Sequence, residues 1–168
     1  MGAMAFHPTA TRLWKSLPAD DRRAATAAFF AEPPAELAGA ALTALVKARN
    51  LRPQAARSLA PDAQARILAT VLDPGEPLAQ GLLVSLHLAH RRPLLGAFLD
   101  ALSLPHDDGV LKEEGDSAAP VTAEAAKAAV AALASHPADQ VRTYLNTLWL
   151  QDPERWGALE AVGEETSA

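Results

Sequence analysis

The sequence predicts an all-α protein of about ten short helices stacked antiparallel, and three observations carry that prediction. Ala fills 39 of the 168 positions and Leu another 25, against nine for Ile and Val together. Ala and Leu head the helix-propensity order, whereas strands draw on β-branched and aromatic residues, which are scarce here. The 13 prolines cut the chain into short lengths, and between them apolar residues recur at three- and four-residue spacing, the mark of a helix with one buried face.

Prolines and capping residues delimit helical segments at 9–17, 19–31, 34–49, 53–60, 61–72, 77–91, 93–104, 122–135, 138–150 and 153–162. Ala25, Ala28 and Phe29 form the expected core face of the second segment, and Leu37, Ala41 and Leu45 that of the third. Ile67, Leu68, Val71 and Leu72 do the same at 61–72, as do Leu94, Leu95, Phe98, Leu99 and Leu102 at 93–104. Segment 77–91 is apolar around most of its circumference, through Leu78, Leu82, Leu83, Leu86, Leu88 and Ala89, so it reads as the buried centre. Its exception is a narrow stripe of Gln80, His87 and Arg91. Segment 122–135 has a thin face of Ala123, Ala126, Ala129, Val130 and Leu133, suited to close approach and modest burial. The last two segments present Val141, Leu145, Leu148 and Trp149, then Trp156, Leu159 and Val162.

Four helix starts share a pattern of Ser, Pro and Asp: Ser16 to Asp20, Ser58 to Asp62, Ser103 to Asp107 and Ser135 to Asp139. Proline suits a first turn because its missing N–H has no partner there, and the Asp complements the positive end of the helix dipole. The first three starts lie 42 and 45 residues apart, a spacing that resembles the helix-pair repeats of HEAT proteins over residues 9–104. The resemblance implies stacked helix pairs, either in a HEAT-like array or in an irregular multi-helix bundle, that present a surface to another macromolecule.

A single helical domain is expected over 9–162: a main array at 9–104, an acidic loop at 105–121 and a three-helix part at 122–162, with tails at 1–8 and 163–168. The loop carries five carboxylates against one Lys, and a long segment without structure of its own inside a domain tends to be functional or disordered. Asp107 and Asp108 are expected to cap a turn ending at Gly109, with Val110 and Leu111 tucked onto the body.

Cysteine is absent, which excludes disulfides, thiol nucleophiles and thiolate metal ligands and agrees with a reducing compartment. No basic-then-apolar leader opens the sequence, and the longest Leu/Val run, near 82–86, is far below the ~20 apolar residues a membrane span needs. A soluble, cytoplasmic protein is the expectation, without membrane attachment. Charge is uneven: 47–92 holds seven basic against three acidic residues, net +4, and the remainder is net −9.

No nucleophile elbow, P-loop or dinucleotide fingerprint is present, so no catalytic residue and no cofactor is assigned. His87 and His90 stand three apart without a third ligand, and Asp107 and Asp108 are adjacent where a calcium loop alternates its ligands, so no metal is assigned either. The candidate ligand-binding set is Gln80, His87, Arg91 and Arg92 with Arg49, Arg52 and Arg57, cations that suit a phosphate or carboxylate. His106, Asp107 and Asp108 in the loop are a second candidate. The leading expectation is a protein-interaction or scaffold domain without catalytic activity, with another protein as partner. The alternative is a phosphate or nucleic-acid binder using the basic segment. A site around His87 or His106 in a deep pocket with carboxylates would make it an enzyme.

Overall fold

A computed structural model describes residues 8–112, 119–160 and 162. The all-α expectation holds: the described residues are mostly helical, with nine α-helices and one two-stranded hairpin among them. The helices are α1 (Ala10–Ser16), α2 (Ala19–Ala31), α3 (Ala38–Arg49), α4 (Pro53–Ser58), α5 (Pro61–Ala69), α6 (Glu76–His90), α7 (Arg92–Ala101), α8 (Ala123–Ala131) and α9 (Ala138–Gln151). Strands β1 (His106–Asp107) and β2 (Val110–Leu111) lie between α7 and α8. Contacts group the chain into two compact units, Thr9–His90 and the part from Arg91 onward. The first unit therefore ends ahead of α7, the helix that sequence reading placed in the main array. The expected tails, 1–8 and 163–168, lie outside the described residues except for Pro8, as does the 113–118 part of the acidic loop.

Three differences from the sequence reading have local causes. Segment 34–49 begins with a 3-10 turn at Ala35–Leu37 before α3 starts, because paired prolines at 33 and 34 set the chain extended and the tight turn redirects it. Segment 153–162 is mainly turns to Ala158 and becomes helical only at Leu159. The third Ser/Pro/Asp start does not open a helix: Ser103 sits at φ 55, and Pro105, His106 and Asp107 run into β1 instead.

Two serines of the recurring pattern act backwards. Ser16 Oγ donates to Leu13 O at 2.7 Å and Ser58 Oγ to Gln54 O at 2.8 Å, so each closes the outgoing helix. Pro18 and Pro137 then stand at the N-cap of α2 and α9, and Pro61 in the first turn of α5, each followed by an Asp in the first turn. The motif is thus a corner between two helices, with the dipole complemented by the acid.

In the first unit α2 packs on α5 and α6, α1 on α6, and α3 on α4 and α5. Phe29, Leu45, Leu68, Leu78, Leu82, Leu83 and Leu86 are fully buried between them. Gly81 admits Leu37 to this core, since a Cβ there would overlap the Leu37 side chain. Helix α6 buries one face, Leu78, Ala79, Leu82, Leu83, Leu86 and His87, while Ala89 is exposed and Leu88 half-buried. It is amphipathic, not buried all round as its composition suggested.

Helix α1 is fixed by long-range polar contacts. Thr9 caps its first turn through Oγ1, accepting from Arg12 N at 3.2 Å. Both oxygens of Glu76, at the start of α6, accept the other free N–H groups, from Ala10 at 2.9 Å and Thr11 at 3.0 Å. Trp14 is completely buried and donates its indole N–H to Val71 O at 2.8 Å. The Arg22 guanidinium donates to Leu17 O at the far end, a cation where the dipole is negative.

In the second unit the α7 face of Leu94, Leu95, Phe98 and Leu99 is buried, with α8 and β2 packed against α7. Phe98 meets Tyr144 edge-on, ring centroids 5.7 Å apart, and Trp156 at 5.8 Å. Burial pushes the Tyr144 phenol well above its ordinary range. Helix α8 contributes Ala126 and Ala129, the thin face expected of it, together with Leu133 just beyond its end.

Candidate functional site

Two concave features stand out among the described residues, one in each unit. In Thr9–His90 it is an apolar groove of about 330 Å³. Phe29, Ala41 and Leu45 are its buried floor, Phe30 and Leu42 its half-exposed walls, and Arg57 and Gln64 its polar rim. Gln64 is steadied by donating its side-chain amide to Ala56 O at 3.1 Å. Arg57, in the last turn of α4, is exposed. Gly39, in the first turn of α3, leaves the mouth open, because a Cβ there would meet nothing within 4 Å.

In the second unit the hairpin and the start of α7 form a broad, open hollow of about 600 Å³, lined by Arg92, Asp107, Asp108, Val110, Leu111 and Lys112. The hairpin pairs His106 with Leu111 and Asp107 with Val110, antiparallel. Asp108 and Gly109 form its two-residue loop at φ 49 and 89. Positive φ at both positions is the type I′ geometry that an Asp-Gly pair favours. Lys112 N donates to Pro105 O at 2.9 Å and extends the ladder by one bond. Arg92 donates to Asp108 O at 2.9 Å, with the Asp108 carboxylate 3.7 Å away.

His106 joins this hairpin to α7. Its Nε2 lies 2.7 Å from Asp100 Oδ1, and its Nδ1 accepts the Gly109 N–H at 3.0 Å. An acceptor at Nδ1 requires the neutral Nε2–H tautomer, which then donates to Asp100. Gly96 provides the seat, since a Cβ there would come within 3.5 Å of the His106 ring. Both ring nitrogens are thereby engaged, Nδ1 by the turn and Nε2 by α7.

The structure separates the sequence-derived candidates. Arg92, His106, Asp107 and Asp108 come together at the hairpin, a meeting of the two candidate sets that sequence reading kept apart. Arg49, Arg52 and Arg57 are exposed, and of these Arg57 borders the groove. In the stripe of Gln80, His87 and Arg91, His87 is 3% and Arg91 6% exposed, and Gln80 is half-buried. Val110 does not tuck onto the body as expected but is exposed, and together with Leu72 completes the exposed large apolar side chains among the described residues. Sequence reading missed Gly39, Phe30 and Leu42 as a surface, since each looked like ordinary helix-face material. Among the described residues no set of three or more His, Asp or Glu could hold a metal ion, and no helix is long and apolar enough to cross a membrane. Compared with known proteins, the chain is matched by no family model, no curated protein and no solved structure.

Proposed function

We propose that the chain is a cytoplasmic protein-interaction or scaffold domain that takes a short segment of another protein into the α2–α3 groove of its first unit. The observation that carries this reading is an apolar floor with a guanidinium at its rim. Such a site suits a large apolar side chain beside an Asp or Glu, the apolar part gaining from burial and the carboxylate from Arg57. Peptide recognition by grooves between helices commonly takes this form. A HEAT-like arrangement is part of this proposal, since stacked helix pairs present a surface to a partner.

Selection of random peptides on the immobilised full chain tests the reading. Enriched sequences should share a large apolar residue next to an acidic one, and Gly39→Trp, which fills the mouth, should abolish the enrichment. Arg57→Glu should remove the acidic preference while leaving the fold intact. No enrichment, or enrichment indifferent to both substitutions, would defeat it.

The phosphate or nucleic-acid alternative retains the exposed cations Arg49, Arg52 and Arg57. Burial of Arg91 favours the groove over it, since a buried guanidinium makes a poor phosphate contact. Oligonucleotide binding at low salt that weakens steeply with ionic strength would reverse that preference.

A further inference from the structure

The Asp108–Gly109 turn is held to α7 through a histidine that can serve it in one charge state and not in the other. The acceptor that His106 Nδ1 offers Gly109 N–H exists only while that nitrogen lacks a proton. We propose that His106 is an acid-sensitive latch: a solvent proton taken up at Nδ1 replaces the acceptor with a donor, and the turn lets go of α7.

The opposite edge of the ring explains why the turn, and not the imidazole, is the part that moves. Nε2–H already donates to Asp100 Oδ1 at 2.7 Å, and a positive ring strengthens that bond to a carboxylate. The ring therefore stays seated over Gly96 on α7 in both charge states. Gly109 N–H, by contrast, comes to face an N–H. Arg92 also ties the turn to α7 through its bond to Asp108 O, which is exposed and worth little alone. The ladder beyond it is two residue pairs long, too short to hold its position by itself.

Asp100 on α7 is the charged group on the ring itself, and Arg92, Asp107, Asp108 and Lys112 line the hollow beside the turn. Release exposes the close contact between Gly109 and Leu95 and frees Arg92 from Asp108, so acid would open an apolar strip beside a cation. Imidazoles change charge between about pH 5 and 8, the range in which such a latch can act.

Amide exchange by NMR on the full chain, from pH 8 to 5, tests this. Exchange rates are corrected for the intrinsic pH effect, and the His106 ring protons report its charge. Protection of the Gly109 amide should fall about tenfold as His106 becomes charged, the loss expected of one hydrogen bond. In His106→Gln, whose amide can accept from Gly109 and donate to Asp100 without titrating, protection should be flat with pH. Steady Gly109 protection through the His106 titration would overturn the proposal, and so would an equal fall in His106→Gln. If the Gln variant distorts the turn, the wild-type titration alone decides, and Gly109 unprotected at every pH counts against the latch.

Discussion

Removing the Glu76 carboxylate should loosen α1 from the first unit, and the size of the effect follows from the contacts. Glu76 accepts two N–H groups that no residue within α1 can satisfy, a capping role supplied from 66 residues away. Loss of a capping acceptor costs about 0.5–2 kcal/mol. Here the Ala10 bond is part-buried and the Thr11 bond exposed, so water replaces the second more readily than the first. Glu76→Ala should therefore cost about 1–1.5 kcal/mol, and Glu76→Gln, which keeps one acceptor oxygen, roughly half of that. A 60–100-residue unit loses about 4–8 °C of Tm per kcal/mol, which calorimetry resolves. Burial works to raise the carboxyl pKa, but bonds from the Thr11 hydroxyl, the Thr11 and Ala10 amides and the Thr9 hydroxyl outweigh it, and the net shift is downward. Because the folded value is lowered, the contribution is complete above the ordinary value of 4.5 and fades as pH falls through the folded one. The wild-type advantage over Glu76→Ala should accordingly be constant from pH 8 to 5 and shrink as pH falls below 4.5. Equal stability of wild type and Glu76→Ala at pH 7, or an advantage that grows on acidification, would refute the reasoning.

Three further substitutions probe separate parts of the chain. Trp14→Phe removes the indole donor to Val71 O and should cost about 1–3 kcal/mol for the stranded part-buried carbonyl, read by urea unfolding followed by far-ultraviolet circular dichroism. Gly109→Ala forces a Cβ to 2.7 Å from Leu95 Cβ at φ 89, so it should cost more than about 1 kcal/mol and erase Gly109 amide protection in NMR, with α9 unaffected. Gly39→Ala fills open space in an exposed first turn and should raise stability by up to about 1 kcal/mol, seen as a higher melting temperature.

The helices were readable because Ala/Leu periodicity and proline placement are local properties, and α2, α5, α6 and α9 begin and end within a few residues of where these put them. The hairpin shows where that reading ends. Asp108-Gly109 is a recognisable turn, and it was expected as a turn. What local pattern could not supply is the pairing of two residues on each side, which depends on Gly109 packing against Leu95 and on His106 seating over Gly96. The burial of His87 and Arg91 shows a related limit: periodicity places residues on a common helix face, and tertiary packing decides whether that face meets water. Nothing near Glu76 in sequence identifies α1 as its partner. The groove was equally silent, being the space left between helix faces that each look conventional.

Trp14 offers a direct view of how the first unit assembles. Its indole can reach Val71 only after the chain between them, 57 positions in separation, has folded back on itself, and closing so long a span is slow compared with forming any one helix. Trp149 and Trp156 both belong to the other unit, so after their replacement by Phe the fluorescence of Trp14 would time the moment of ring closure separately from the appearance of helical signal.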